Sequence, residues 1–169
     1  MARVFFALVP GDQSAIALAR IGAELAARSG GKPVPAAKIH LTLAFLGELE
    51  PGRLEGACAV QLPATAVRLA MDCVGSFRAA RVAWAAMSQP SAALSGLQSH
   101  LSRELRSRGF ELEDRAFSPH VTLVRRIERA VAPSPIEPIV WTAGEIALMR
   151  SASGRYSTLE TWALGEIGE

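Results

Sequence analysis

The chain writes His-x-Thr-Leu twice, in "KIHLTLAFLGE" at 38–48 and in "SPHVTLVRR" at 118–126, and spends two of its three histidines on the repeat. Each copy sits in a short apolar run bounded by Pro or Gly, which predicts a β-strand. Residues i and i+2 of a strand share a face, with Cα atoms about 6.6 Å apart. His40 and Thr42 therefore project together from one strand, and His120 and Thr122 from another. Ile39, Leu41 and Leu43, then Val121 and Leu123, fall on the opposite faces and anchor each strand in a core. Pro119 biases Ser118 toward an extended backbone and helps launch the second strand.

Two imidazoles and two hydroxyls on rigid mounts suit phosphoester cleavage with an oxygen leaving group. A neutral imidazole takes a proton from the nucleophile while an imidazolium gives one to the departing alkoxide, and histidine serves in either state near neutral pH. The threonine hydroxyls donate to phosphate oxygens as charge builds there. Paired histidines also ligate zinc. Here, however, no acidic or Cys partner stands at ligand spacing, and His100 lies on a basic helix, so no metal is expected.

The totals narrow the field. A length of 169 residues is expected to form one bilobal domain over 1–169. Eighteen basic against sixteen acidic residues leaves +2, too little for coating nucleic acid through many phosphate contacts. A small anionic group in one pocket fits that charge. Cys58 and Cys73 have no CxxC or disulfide spacing and read as small core residues of an intracellular protein. No apolar run reaches the roughly 18 residues of a membrane span, so the expectation is a soluble cytoplasmic chain with no membrane contact and no obligate protein partner.

Along the chain, "RVFFALV" at 3–9 predicts a buried strand. Asp12 is expected to cap a helix with an apolar stripe of Ile16, Ala19 and Leu25. "SGGKPVP" reads as a loop that lacks the rest of a phosphate-binding P-loop, and "PGRLEGACAVQL" as a short helix opened by proline. "AVRLAMDCVGSF" and "ARVAWAAM" predict a hairpin connected around Phe77-Arg78. In "PSAALSGLQSHLSRELRSRG", Leu94, Leu97, Leu101 and Leu105 share one helix face, Arg103, Arg106 and Arg108 gather on the other, and Gly109 ends the helix. A Pro-rich loop at 131–138 then leads to two strands, "IVWTAGEIALMR" and "YSTLETWAL". Roughly seven strands and three helices give an α+β class, with strand–helix–strand order recurring around each His-x-Thr. Trp84, Trp141 and Trp162 read as core residues on strands.

"HLTLAF" (40–45) and "HVTLVR" (120–125) resemble the extended HxTxxF and HxTxxR motifs of the two-histidine phosphoesterase superfamily. The resemblance is to its RNA 2',3'-cyclic phosphodiesterase branch, historically called 2'-5' RNA ligases. "RVFFALVP", "FLGE", "RVAWAAM", "FSPHVTL" and "SASGRYSTLETWAL" extend it nearly end to end. It implies a bilobal fold in which two antiparallel sheets face a central cleft, with helices outside. His40 would be the general acid on the ribose O3' leaving group, and His120 the general base that activates water to leave a 2'-phosphate. Thr42 and Thr122 would bind phosphate oxygens, Arg125 would clamp the phosphate, and Phe45 would stack on the terminal base. No cofactor is implied, and the substrate would be an RNA 3' end or nucleotide carrying a 2',3'-cyclic phosphate.

Strict alternation puts Phe45 and Arg125 on the face opposite their histidines, so reaching the cleft takes a twist, a bulge or a strand end. Gly47 offers such a finish to the first strand, and nothing similar follows Arg125. Rival readings are a reversible 2'-5' RNA ligase using the same residues, a phosphodiesterase for another cyclic phosphate or a 2'-5' oligonucleotide, and a nucleotide- or RNA-binding module without chemistry.

Overall fold

The computed structural model describes residues 2–63, 65–89 and 91–165. In chain order the elements are β1 (Arg3–Leu8), α1 (Asp12–Ser29), β2 (Lys32–Pro33), a 3-10 turn (Ala36–Lys38), β3 (Leu41–Gly47) and α2 (Pro51–Cys58). Then follow β4 (Val67–Phe77), β5 (Val82–Ala86), α3 (Ala92–Ser107), β6 (His120–Arg125), β7 (Ser134–Ala143), β8 (Glu145–Ala152) and β9 (Arg155–Ala163).

The α+β class holds, and the strands form two antiparallel halves. One is β3-β1-β8-β9 and the other β6-β5-β4-β7, with the two-residue β2 added beside β6. They meet only where β3 touches β6, at the single pair Leu41–Val121, which joins them into one nine-stranded sheet. Those two residues are the middle positions of the two His-x-Thr motifs, and both are fully buried. The two motif strands thus pair edge to edge at the middle residue of each motif. Truncating Leu41 to alanine there costs about 2–5 kcal/mol by the usual cavity and transfer terms.

Helix α1 follows β1 of the first half but packs behind β6 of the second, while α3 packs behind β3. The apolar face of α1 is Ala15, Leu18, Gly22 and Leu25, with Ile16 exposed, so the expected stripe is rotated. Gly22 explains the rotation: a Cβ there would stand 3.0 Å from the Leu123 carbonyl, so the helix lies directly on the β6 backbone. The expected Asp12 cap is not made. Gly11 occupies the cap position, and Asp12 sits in the first turn, where its charge favours the helix dipole. Ser91 does cap α3, accepting from the Leu94 N–H, and Leu94, Leu97, Leu101 and Leu105 are all buried as their spacing predicts.

"IVWTAGEIALMR" is two strands rather than one. It breaks at Gly144, where the chain passes from β7 in one half to β8 in the other. β7 also begins inside the expected Pro-rich loop; as an edge strand it tolerates Pro135 and Pro138, which cannot donate to a ladder. Phe77 belongs to β4 rather than to the turn. Cys58 and Cys73 are half-buried free thiols, not core residues. Trp141 is buried, whereas Trp84 and Trp162 are half-buried. Arg106 pairs with Asp114 at 3.8 Å and Arg108 with Glu104 at 3.5 Å, and Arg103 is exposed.

Candidate active site

The two motif strands are built alike. Both carry a β-bulge at the leucine of His-x-Thr-Leu. Across β3, Thr42 pairs with Ala7 and Ala44 with Phe6, leaving Leu43 as the extra residue. Across β6, Thr122 pairs with Trp84 and Val124 with Ala83, leaving Leu123 extra. An inserted residue shifts side-chain parity by one, so the residue five after each histidine returns to the histidine's face. The consequence shows in burial: Leu43 and Ala44 are both buried, as are Leu123 and Val124, and then Phe45 and Arg125 emerge. The bulges, not Gly47, resolve the parity conflict.

A bulge leaves a carbonyl outside its ladder, and each finds a donor elsewhere in the chain. The Gln98 side chain of α3 donates to the Leu43 carbonyl at 3.3 Å. The Val34 N–H donates to the Leu123 carbonyl at 2.8 Å. Val34 is held there by β2, where Gly31 lies so close to β6 that a Cβ would stand 2.6 Å from the Arg125 carbonyl. "SGGKPVP" is therefore the brace of the second bulge rather than a plain loop.

His40, Thr42, Phe45, His120, Thr122 and Arg125 all line one cleft of about 520 Å³. Every residue singled out from the motifs is thus brought together. The imidazoles are fixed in the same way: His40 Nδ1 donates to the Lys38 carbonyl and His120 Nδ1 to the Ser118 carbonyl, each at 2.8 Å. A carbonyl only accepts, so Nδ1 carries the proton and Nε2 remains free to take or give one.

The surroundings of the two rings differ. The His40 ring lies 4.9 Å from that of Phe5 and 5.6 Å, edge-on, from that of Tyr156. Burial among these rings holds the His40 pKa below the ordinary histidine value; the Lys38 carbonyl opposes that effect, and the positive charges of Arg125 and His120 across the cleft add to it. His120 meets Phe77 edge-on at 5.1 Å, and Phe77 in turn packs on Trp84 at 5.4 Å. Phe45 is 62% exposed, a large apolar ring presented to solvent at the cleft.

Phe5, Lys38 and Tyr156 also line the cleft and carry no signal in the motifs. Tyr156 is the chain's one tyrosine, in "SGRYS", and only its place beside His40 gives it meaning. His100 stands apart, its ring nitrogen bonded to the Gln61 carbonyl at 2.9 Å. Among the described residues no group of three His, Cys, Asp or Glu is arranged to hold a metal ion.

The model of the 2'-5' RNA ligase superfamily matches residues 10–155, a span that contains both motif strands. The chain belongs to this superfamily. Among superfamily relatives, it is 35% identical over 144 residues to the RNA 2',3'-cyclic phosphodiesterase of Escherichia coli (strain K12), covering 79% of this chain and 80% of that one. It is 31% identical over 152 residues to the RNA 2',3'-cyclic phosphodiesterase of Geobacillus stearothermophilus, covering 77% of this chain but about half, 48%, of that longer relative. The crystal structure of E. coli LigT complexed with 3'-AMP superposes with a TM-score of 0.83 at 31% identity, over 96% of this chain and 97% of that one. Superfamily membership therefore extends to the whole two-halved architecture.

Proposed function

We propose that the chain is an RNA 2',3'-cyclic phosphodiesterase, a hydrolase that opens terminal 2',3'-cyclic phosphates to 2'-phosphates without a metal. The observation that carries this reading is the pair of imidazoles in one cleft, each with Nδ1 tied to a carbonyl and Nε2 left for proton transfer. The activity of the two relatives supports it, as does the nucleotide in the LigT complex. The chain works as one bilobal domain, cytoplasmic in location. Among the described residues no helix is long and apolar enough to cross a membrane.

The reaction runs in line. His120 Nε2 takes a proton from water as its oxygen bonds to phosphorus. The P–O3' bond breaks, and His40 Nε2 delivers its proton to O3', leaving the phosphate on O2'. The histidines finish with exchanged protonation and are reset by solvent. Thr42 and Thr122 donate to the non-bridging oxygens, and Arg125 clamps them in a bidentate fashion. Phe45 stacks on the terminal base. Burial is the largest cause of the low affinity of free His40 for a proton, and the Arg125 charge adds to it; a bound phosphate offsets that charge. A bound phosphate thus opposes the part of the depression that comes from Arg125. Microscopic reversibility admits a ribose hydroxyl in place of water, which is the ligase direction.

The test is hydrolysis of a short RNA ending in a 2',3'-cyclic phosphate, in excess EDTA, for wild type, His40→Ala and His120→Ala. Turnover to a 2'-phosphate is expected in wild type, with each variant slower by about 10²–10⁴-fold. A wild type that loses all activity in EDTA and regains it with zinc would sink the metal-free reaction.

A further inference from the structure

Three cationic side chains line the cleft, Arg3, Lys38 and Arg125, and no acidic one does. A cyclic phosphate carries a single negative charge, and Arg125 already answers it. Arg3 and Lys38 are left over. Among the described residues, Arg3 lies within 4.0 Å of no carboxylate, and neither does Lys38, whose ammonium donates to the neutral Gly154 carbonyl. That bond leaves Lys38 two further donors and its full charge.

Strand register and one cation–ring contact place the two cations on either side of Ser151. Arg3 on β1 pairs with Ser151 on β8, and Ser151 pairs with Tyr156 on β9. All three line the cleft, in a row spanning two inter-strand steps, about 10 Å. Lys38 Nζ stands 5.5 Å from the centroid of the Tyr156 ring. A guanidinium and an ammonium thus bracket the Ser151 position from opposite ends of the row. Tyr156 also packs edge-on against His40, so the row begins one ring away from the reacting centre. Uncompensated cations in a cleft focus its field on anions.

We propose that Arg3, Ser151 and Lys38 form a second phosphate subsite, which takes the phosphate on the 5' side of the terminal nucleoside. That phosphate is either the diester to the preceding nucleotide or a free 5'-phosphate. The orientation of the ligand rests on the phosphodiesterase reading above. The subsite makes this cleft a reader of nucleotides with a phosphate on each side of the ribose.

Calorimetry reads the subsite without turnover, using adenosine 2'-monophosphate, adenosine 2',5'-bisphosphate, and the dinucleotide ApA carrying a terminal 2'-phosphate. Wild type should bind a ligand with the second phosphate at least tenfold more tightly than the monophosphate. The affinity of that ligand should also fall more steeply with added salt. A gain for both larger ligands assigns the subsite to the chain diester, and a gain for the bisphosphate alone assigns it to a free 5'-phosphate. Arg3→Gln and Lys38→Met should each cost the preferred ligand at least five times more affinity than they cost the monophosphate, with Arg3→Lys retaining more than Arg3→Gln. Equal affinities for all three ligands in wild type would overturn the subsite, as would variants that weaken all of them alike. A wild type that hydrolyses nothing yet keeps the tenfold preference would lose the reaction and retain the subsite.

Discussion

The two halves of the molecule share one device and put it to different ends. Each carries His-x-Thr at the start of a strand, bulges at the following leucine and ties the histidine to the carbonyl two residues earlier. The first half then presents Phe45 beside a small apolar cluster of Phe5, Ala7, Ala147 and Met149, with Tyr156 against it. The second presents Arg125 past a histidine whose bond to its carbonyl is exposed, where that of His40 is half-buried. At the position five residues past the histidine, a common backbone thus gives one wall an aromatic ring and the other a guanidinium. In the proposed reaction the Phe45 wall handles the base and leaving group, and the Arg125 wall handles the scissile phosphate and water.

The asymmetry is broken most severely at Arg125. Arg125→Ala should lower kcat by about 10²–10³-fold, because the clamp acts on charge that grows in the transition state; single-turnover kinetics on a cyclic-phosphate RNA would measure it. Next is Gly31→Ala, which forces a Cβ against the Arg125 carbonyl and the Val124 side chain. It should destabilise the fold by about 1–3 kcal/mol. Below the melting transition it should also lower kcat by displacing Arg125, which calorimetric melting and rate measurements together would show. Phe45→Ala should raise KM about tenfold with a smaller change in kcat, since stacking on a base stabilises ground and transition states alike. Equal kcat losses for Phe45→Ala and Arg125→Ala would erase the distinction between the walls.

The smallest effect is electrostatic. The depressed His40 pKa means that, as pH falls, free His40 takes up its proton only below the ordinary histidine value of 6.5. Removing the Arg125 charge in Arg125→Gln takes away one depressing cause, so the midpoint should move up. Saturating inorganic phosphate should move it in the same direction, and imidazole NMR titration reads both shifts. The depression also favours the folded state at neutral pH, where His40 is uncharged. That contribution is lost as pH falls through the folded midpoint, because the unfolded chain binds the proton more readily.

Much of this was legible in the motifs. Duplication of His-x-Thr-Leu located both strands, their buried and cleft faces, and four of the converging side chains, whereas Phe45 and Arg125 came only from the family resemblance and against strict alternation. The bulges were hidden because period-2 alternation has no term for an extra residue, and both bulges insert a leucine that looks like any other core position. Gly22 and Gly31 were equally opaque: their meaning lies in how closely a distant backbone approaches. The break at Gly144 was missed because two apolar runs on either side of one glycine read as one strand until pairing sends them to different halves. Lys38, Phe5 and Tyr156 joined the cleft through tertiary placement alone.

The central claim, that His40 is the acid and His120 the base, is tested most directly by a substrate whose 3' bridging oxygen is replaced by sulfur. A thiolate leaves without protonation, so the substitution removes the need for a general acid and nothing else. His40→Ala should recover to within about tenfold of wild type on this substrate, while His120→Ala stays slow by orders of magnitude. Recovery of His120→Ala instead, with His40→Ala still slow, would reverse the assignment of the two halves.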